Sequence, residues 1–296
     1  MATSSAPVNM TAGARGARRW LLVAGGLLLA WLFAALYGHI LRALLDDWLH
    51  DEDYSYGLAV PFVAAYVLHF RWHKLAQMPR TPAHWAGASC LLFSQVTYLF
   101  GYFGAEFFLQ RTSAVLLGCG IILLLLGARM LRALAFPLVL LQLSIPLPSI
   151  IMTRITLPLQ LLSSAVAERV LRLCGVTVYR SGNILQMAQQ TLNVGEACSG
   201  IRSLVSLVTL AVILAGFSRL CWIRRVVLVL SAVPVAIAAN ALRVSGAGLL
   251  SYYGSPVLTT GLWHQFEGWL VFVITFAILY GELLLLYRFP AKETGQ

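Results

Sequence analysis

The segment NVGEACSGIRS at residues 193–203 places Cys198 between a carboxylate and a guanidinium in a chain that is otherwise largely apolar. Glu196 precedes the cysteine, Arg202 follows it, and small residues separate the three. A cysteine thiol titrates near ~8.5, and an adjacent cation lowers that pKa because positive charge stabilises the thiolate. A thiolate can attack a peptide carbonyl and form a thioester. The pattern therefore predicts a thiol nucleophile at Cys198.

Two more polar residues stand near the ends of later apolar segments. Arg243, in IAANALRVSG, follows Cys198 by 45 residues, and His264, in GLWHQFEGW, follows by another 21. A guanidinium is permanently charged and can donate several hydrogen bonds to a developing oxyanion. An imidazole can deprotonate a thiol and return the proton to a leaving amine. If two helices run up and down between these residues, all three reach one level of a membrane, and we predict a Cys–Arg–His site.

Neighbouring residues have more than one interpretation. Asn240, one turn before Arg243, shares its helix face and could orient its side chain. Glu267 could orient the His264 ring or lie among lipid headgroups. Arg202 is either a structural partner of Glu196 or a second cation near the thiolate.

Each member of the site also has a plainer explanation. Cys198 alone is compatible with a packed small residue, and Arg243 with a side chain that extends to the outer headgroups. His264 stands beside Trp263 and Trp269, as a residue of an interfacial aromatic belt would. The catalytic interpretation thus depends on the three occurring together.

Composition predicts an integral membrane protein. Of 296 residues, 59% are hydrophobic and 11% charged, whereas about 25% are charged in soluble domains. The net charge of +10 comes mostly from short loops between apolar segments, which indicates membrane orientation rather than nucleic-acid binding. Five cysteines without CxxC or His-rich spacing give no sign of a metal, cofactor or disulfide framework.

Eight segments are apolar enough to predict membrane-spanning helices, since about 20 residues cross the hydrocarbon core. They cover residues 20–41, 56–70, 83–104, 112–128, 133–150, 202–218, 225–246 and 268–287. A ninth run, 157–174, carries Glu168, Arg169 and Arg172 on an apolar helix, which favours a helix at the interface or packed within the bundle.

The basic residues predict that both termini are cytoplasmic. With 157–174 not crossing, one side receives thirteen lysines and arginines, mostly from short loops and tails, and the other receives eight. The predicted organisation is a cytoplasmic tail over 1–19, one transmembrane domain over 20–288 and a cytoplasmic tail over 289–296.

The long outer segment, 147–201, has room for structure outside the membrane. Within it, VTVYR, SGN and ILQMAQQTLNV predict a short β-hairpin that turns at residues 181–183. The predicted fold class is an all-α integral membrane protein, a polytopic bundle of about eight transmembrane helices with a small extracytoplasmic β-hairpin and an interfacial helix.

Three motifs resemble the exosortase/archaeosortase family of multi-pass membrane transpeptidases. They are GEACSGIRSL at 195–204, PVAIAANALRVSG at 234–246 and HQFEGWLVF at 264–272. DEDYSYGLAVP at 51–61, IPLPSIIMTRITLPLQ at 145–160 and GVTVYRSGNIL at 175–185 are weaker matches in the same order. The resemblance covers about 50–272; Tyr56 departs from it, because the family has a histidine there.

The resemblance implies that Cys198 is the nucleophile and that Arg243 and His264 complete the site. It implies a thiol protease and transpeptidase of the inner membrane, with its active site on the periplasmic side, in bacteria that make exopolysaccharide. Its partners would be secreted proteins with a PEP-CTERM-type sorting signal (a short Pro-Glu-Pro-type motif, a hydrophobic helix and a basic tail), an acceptor nucleophile of unknown identity, and membrane lipid. No cofactor is implied.

Two other classes of function remain open from the residues alone. One is a transporter or channel component for envelope polysaccharide, which would carry ionisable groups near helix midpoints or paired broken helices with internal repeats. The other is a non-catalytic scaffold for polysaccharide assembly. A rhomboid-like serine protease is disfavoured, because no GxSxG occurs with a helix-borne histidine.

Overall fold

The computed structural model describes the backbone of residues 12–51, 53–188, 190–194, 201–253 and 262–288. It is 82% helical. In chain order the helices are α1 Ala12–His50, a 3₁₀ turn Ser55–Leu58, α2 Ala59–Ala76, α3 His84–Phe103, α4 Phe107–Leu125, α5 Ala128–Leu143, α6 Ser149–Leu173, α7 Ile201–Phe217, α8 Trp222–Tyr253 and α9 Leu262–Arg288. The strands are β1 Val178–Ser181, β2 Ile184–Met187 and β3 Thr191–Asn193.

A helix lies at the place of each predicted span. In the part of the chain that the structure describes, four helices are long and apolar enough to cross a membrane: α4, α6, residues Trp222–Leu250 of α8 and Gly268–Arg288 of α9. The chain is therefore a helical membrane protein, and the predicted number of about eight spans is not confirmed. The segment predicted over 133–150 ends at Leu143, because Pro146 and Pro148 follow, and proline disfavours helical conformation at the residue before it.

Helices α3 and α4 form an antiparallel pair whose backbones approach closely at glycines. A Cβ on Gly87 would lie 2.6 Å from the Leu124 backbone nitrogen, and one on Gly120 would lie 2.7 Å from Leu91 Cδ2. Ser94 Oγ, in the same interface, donates a hydrogen bond to the Ser113 carbonyl at 2.8 Å. Small residues and interhelical hydrogen bonds are the means by which helices associate in lipid.

Helices α7, α8 and α9 form a second unit. Leu207 and Ala211 of α7, Ala232 and Ala236 of α8, and Leu279 of α9 are buried together. Beyond this cluster, the Arg219 N–H donates to Tyr287 Oη and Arg224 Nη1 donates to the Leu286 carbonyl, both at 2.9 Å. The end of α7, the start of α8 and the end of α9 thus lie together at one end of the bundle.

The predicted β-hairpin is present as β1 and β2, which are antiparallel and joined by Gly182 and Asn183. Gly182 has φ +65°, a conformation that glycine adopts without steric cost. The structure adds β3, paired antiparallel with β2, where the sequence predicted a single longer second strand. The difference arises because the chain reverses after β2, where the Met187 N–H donates to the Gln190 carbonyl at 2.9 Å.

The sheet packs on α6 and α8. Leu171 of α6, Val178 and Leu185 of the sheet and Val244 of α8 are buried in one apolar cluster. Glu168 of α6 forms an ion pair with Arg172 at 2.7 Å and accepts a hydrogen bond from Arg180 of β1 at 2.9 Å. Of Glu168, Arg169 and Arg172, which led us to predict a helix at the interface or packed within the bundle over 157–174, Glu168 and Arg172 are paired with each other, and Glu168 is also paired with the sheet.

Helix α6 begins at Ser149, eight residues before the predicted 157, and it is long and apolar enough to cross a membrane. Met152 lines a cavity with Val205 of α7, and Ser163 lines another with Leu204. Both parts of α6 therefore lie near the start of α7. Whether α6 spans the membrane or lies at its interface stays a prediction.

Replacing Gly87 by alanine is expected to destabilise the protein by about 1–3 kcal/mol, because the new methyl group would overlap the backbone of α4. Thermal unfolding of the purified protein in detergent measures the effect. Gly118→Ala, in α4, is the matched control, since a Cβ there meets no atom within 4 Å. Equal melting temperatures for the two variants would contradict the close approach of α3 and α4.

Candidate active site

Three helices meet at the end of the bundle opposite the Arg219–Tyr287 contact. Leu204 of α7, Ser163 of α6 and Asn240 of α8 surround one small void. One turn beyond Asn240, Arg243 of α8 reaches α9 at Gly268. The start of α7, the second half of α8 and the start of α9 are therefore close to one another at a single level.

Arg243 is half-buried in a setting of tightly packed neighbours. Val244, the next residue, is buried against α6 and the sheet. Asn240, on the same face one turn earlier, is 4% exposed. Burying a guanidinium near a bilayer is costly unless it faces a polar cavity or partners. The buried residues on either side of Arg243 hold its helix in a fixed position.

Gly268 provides the space for the Arg243 guanidinium. A Cβ at position 268 would lie 3.2 Å from Arg243 Nη2 and 3.5 Å from Cζ, which is tighter than an ordinary contact. Position 264 lies one turn earlier on α9, and residues four apart share a helix face. The backbone of His264 is thus on the face of α9 that meets Arg243.

The other predicted site residues are only partly described. Cys198 and Glu196 lie outside the described residues. Arg202, His264 and Glu267 have described helical backbone, in α7 and α9, and their side chains lie outside the described part. Whether the three predicted catalytic side chains meet stays a prediction, and the structure brings together the helices that carry or directly follow them.

Asn240 forms a buried hydrogen bond with α6. Its Nδ2 donates a hydrogen bond to Ser163 Oγ at 2.8 Å, and both side chains are buried. The bond joins α8 to α6 one turn below Arg243. Asn240 therefore anchors the helix that carries Arg243 to α6, and its direct orientation of the guanidinium stays a prediction.

A cleft of about 680 Å³ between the end of α1, the start of α4 and the start of α6 was not predicted. At its edge Arg111, 5% exposed, forms an ion pair with Asp47 at 2.7 Å, and its Nε has no hydrogen-bond partner among the described residues. Burial, and then the negative charge of Asp51 and Asp53, raises the pKa of Tyr54 in the same cleft. The sequence feature that could have indicated this ion pair is charge near the ends of apolar segments. Asp47 follows the first predicted span, and Arg111 directly precedes the fourth.

An apolar cavity of about 220 Å³ adjoins this cleft and reaches the start of α7 at Val205. Tyr56, the departure from the family pattern, lines it and donates from its hydroxyl to the Leu143 carbonyl at 3.2 Å. Tyr56 thereby ties the 3₁₀ turn to the end of α5. Among the described residues, no three His, Cys, Asp or Glu side chains are grouped as metal ligands.

Comparison with known proteins adds one finding. A family model described as "Transmembrane exosortase" matches residues 48–281, which is most of the chain. No curated protein and no solved structure matches it. The matched region begins at the end of α1 and reaches into α9, so it includes the three helices that meet at Arg243. The chain belongs to the transmembrane exosortase family.

Proposed function

We propose that this protein is a membrane cysteine protease and transpeptidase that cleaves C-terminal sorting signals of the PEP-CTERM type from secreted proteins. The observation that carries the proposal is the position of Arg243, which packs over Gly268 one turn from position 264 and level with the start of α7. Cys198 precedes Ile201 by three residues, and three residues extend at most about 11 Å. Covalent connection therefore keeps the thiol near the start of α7.

The reaction proceeds through a thioester. His264 accepts the proton of the Cys198 thiol, and the thiolate attacks the carbonyl carbon of the scissile peptide bond. Arg243 donates hydrogen bonds to the resulting oxyanion. When the tetrahedral intermediate collapses, the C–N bond breaks and His264 protonates the leaving amine. The new carboxyl end stays on Cys198 until an acceptor nucleophile attacks the thioester carbonyl and releases the thiolate.

The membrane supplies part of the substrate recognition. A substrate anchored by its own hydrophobic helix diffuses in two dimensions and presents its motif at the depth where that helix ends. The basic loops predict that both termini of the enzyme are on the cytoplasmic side of a bacterial inner membrane. The site then faces the periplasm. The substrate's basic tail then remains on the cytoplasmic side and holds the motif level with Cys198.

Replacing Cys198 by alanine is expected to abolish cleavage while leaving membrane insertion intact, because the variant lacks the nucleophile. Mass spectrometry of a co-expressed substrate that carries the sorting signal measures this as accumulation of the uncleaved tail. Cys174→Ala and Cys221→Ala are controls, since both are exposed free thiols away from the start of α7. Normal processing by the Cys198 variant would end the assignment and favour a transporter or scaffold.

Replacing Arg243 by lysine is expected to lower turnover on the order of a hundredfold, because lysine keeps the charge and loses the planar fork that can hold an oxyanion. The rate constant for cleavage at saturating substrate is the measurement. A rate equal to that of the unmodified protein would show that Arg243 acts as a simple charge or membrane anchor.

Replacing Gly268 by alanine is expected to lower turnover by about tenfold, because the added methyl group displaces the Arg243 guanidinium by a few tenths of an ångström, and small displacements of catalytic groups are costly. Gly281→Ala is the control on the same helix, where a Cβ meets no atom within 4 Å. Thermal stability of both variants should change little. Unchanged turnover in the Gly268 variant would show that the close approach of Gly268 to Arg243 does not contribute to catalysis.

A further inference from the structure

A basic groove lies at the end of the bundle opposite Arg243. It has a volume of about 830 Å³ and runs between the last turns of α2 and the first turns of α5. Four cations line it, Arg71, Lys74, Arg129 and Arg132, together with Phe70, Leu75, Met78 and Ala133. None of these described lining residues carries a carboxylate, and no ion pair involves the four cations in the described part of the chain.

The position of the groove in the fold follows from aromatic contacts. Phe217, at the end of α7, contacts Tyr66 of α2 and Phe136 of α5, with ring centroids 6.2 and 6.1 Å apart. The end of α7 is also joined to the end of α9 through Tyr287. The groove therefore lies at the end formed by the α7–α8 turn, away from the start of α7 and the candidate active site.

Exposed tryptophans show where this end meets the membrane surface. Trp72 of α2, Trp85 of α3 and Trp222 of α8 are 59–89% exposed. Trp85 and Trp222 lie in the first turns of their helices, and Trp72 lies just before the last turn of α2. Tryptophan is enriched at the level of lipid headgroups. Trp72 lies between two of the groove cations in sequence, so the four cations are at headgroup level.

An apolar track leads from the groove along α2. Phe62, Tyr66 and Phe70 are spaced four residues apart, so they share one helix face, and all three are exposed. Phe70 also lines the groove, and its ring stacks on Tyr66 with centroids 6.4 Å apart. A concave set of cations thus continues into an exposed aromatic stripe that points toward the membrane interior.

The geometry points to a binding site for an anionic phospholipid, with its phosphate among Arg71, Lys74, Arg129 and Arg132 and an acyl chain along Phe62, Tyr66 and Phe70. Arginine binds phosphate oxygens through two parallel hydrogen bonds, and basic pockets between membrane helices bind anionic headgroups. The basic tail of a sorting signal would be repelled here. The site is independent of the proposed reaction.

Binding of phosphatidylglycerol to the purified full-length protein in zwitterionic micelles tests the site, with native mass spectrometry as the readout. The double variant Arg71→Gln/Arg129→Gln is expected to weaken binding by about twenty-fivefold, at about fivefold per cation. The matched control, Arg80→Gln/Arg219→Gln, removes the same charge from the same end outside the groove and should weaken binding by less than about threefold. Equal weakening by the two pairs would overturn the proposal.

Two further measurements keep the test decisive. The double variant Arg71→Lys/Arg129→Lys preserves the charge, so it should weaken phosphatidylglycerol binding less than the double glutamine variant does. If both double variants are monodisperse and helical and lose the same affinity, charge does not hold the lipid. Phosphatidylcholine and equimolar inorganic phosphate should each fail to displace phosphatidylglycerol, because the first lacks net charge and the second lacks acyl chains. Displacement by either would overturn the assignment to an anionic lipid.

Discussion

A permanent positive charge held at the edge of an apolar bundle is the constraint on which the rest of this structure depends. A guanidinium at the edge of a bilayer is costly unless it faces a polar cavity or partners, so the position of Arg243 has to be fixed by the elements around it. Gly268 leaves room for the guanidinium on α9, and the Asn240–Ser163 hydrogen bond ties α8 to α6 one turn below. The buried cluster around Val244 holds α8 against the sheet. Three neighbouring elements therefore fix one side chain.

The small sheet and α6 both pack against α8, the helix that carries Arg243. Charges on α6 would be unfavourable if they faced lipid. The structure places Glu168 between Arg172 and Arg180, and the Glu168–Arg180 ion pair joins α6 to β1. Tyr253, at the end of α8, donates a hydrogen bond to the Cys174 carbonyl at 2.8 Å. The end of α8 is thus fixed to the end of α6, which limits how far the Arg243 level can move relative to the sheet.

The two ends of the bundle differ in chemistry. One end collects the start of α7, Arg243 and the start of α9, next to a cleft whose buried Arg111 is paired with Asp47. The other end presents a groove of four cations lined by apolar side chains. The charged groups of these two sites therefore lie at the two ends of the bundle, where water or headgroups compensate them.

The sequence by itself determined the membrane class, the approximate places of the helices, the turn at Gly182 and the residues that carry the family resemblance, because hydropathy, glycine at a tight turn and short motifs are local properties. It could not reveal that the strand after β2 folds back, because a reversal without a strong turn signal depends on partners elsewhere. Nor could it assign Asn240 to Ser163, 77 residues away, or show that Arg243 packs over Gly268. Only the tertiary structure decided these points, since the choice of partners depends on contacts between segments that are far apart in the chain.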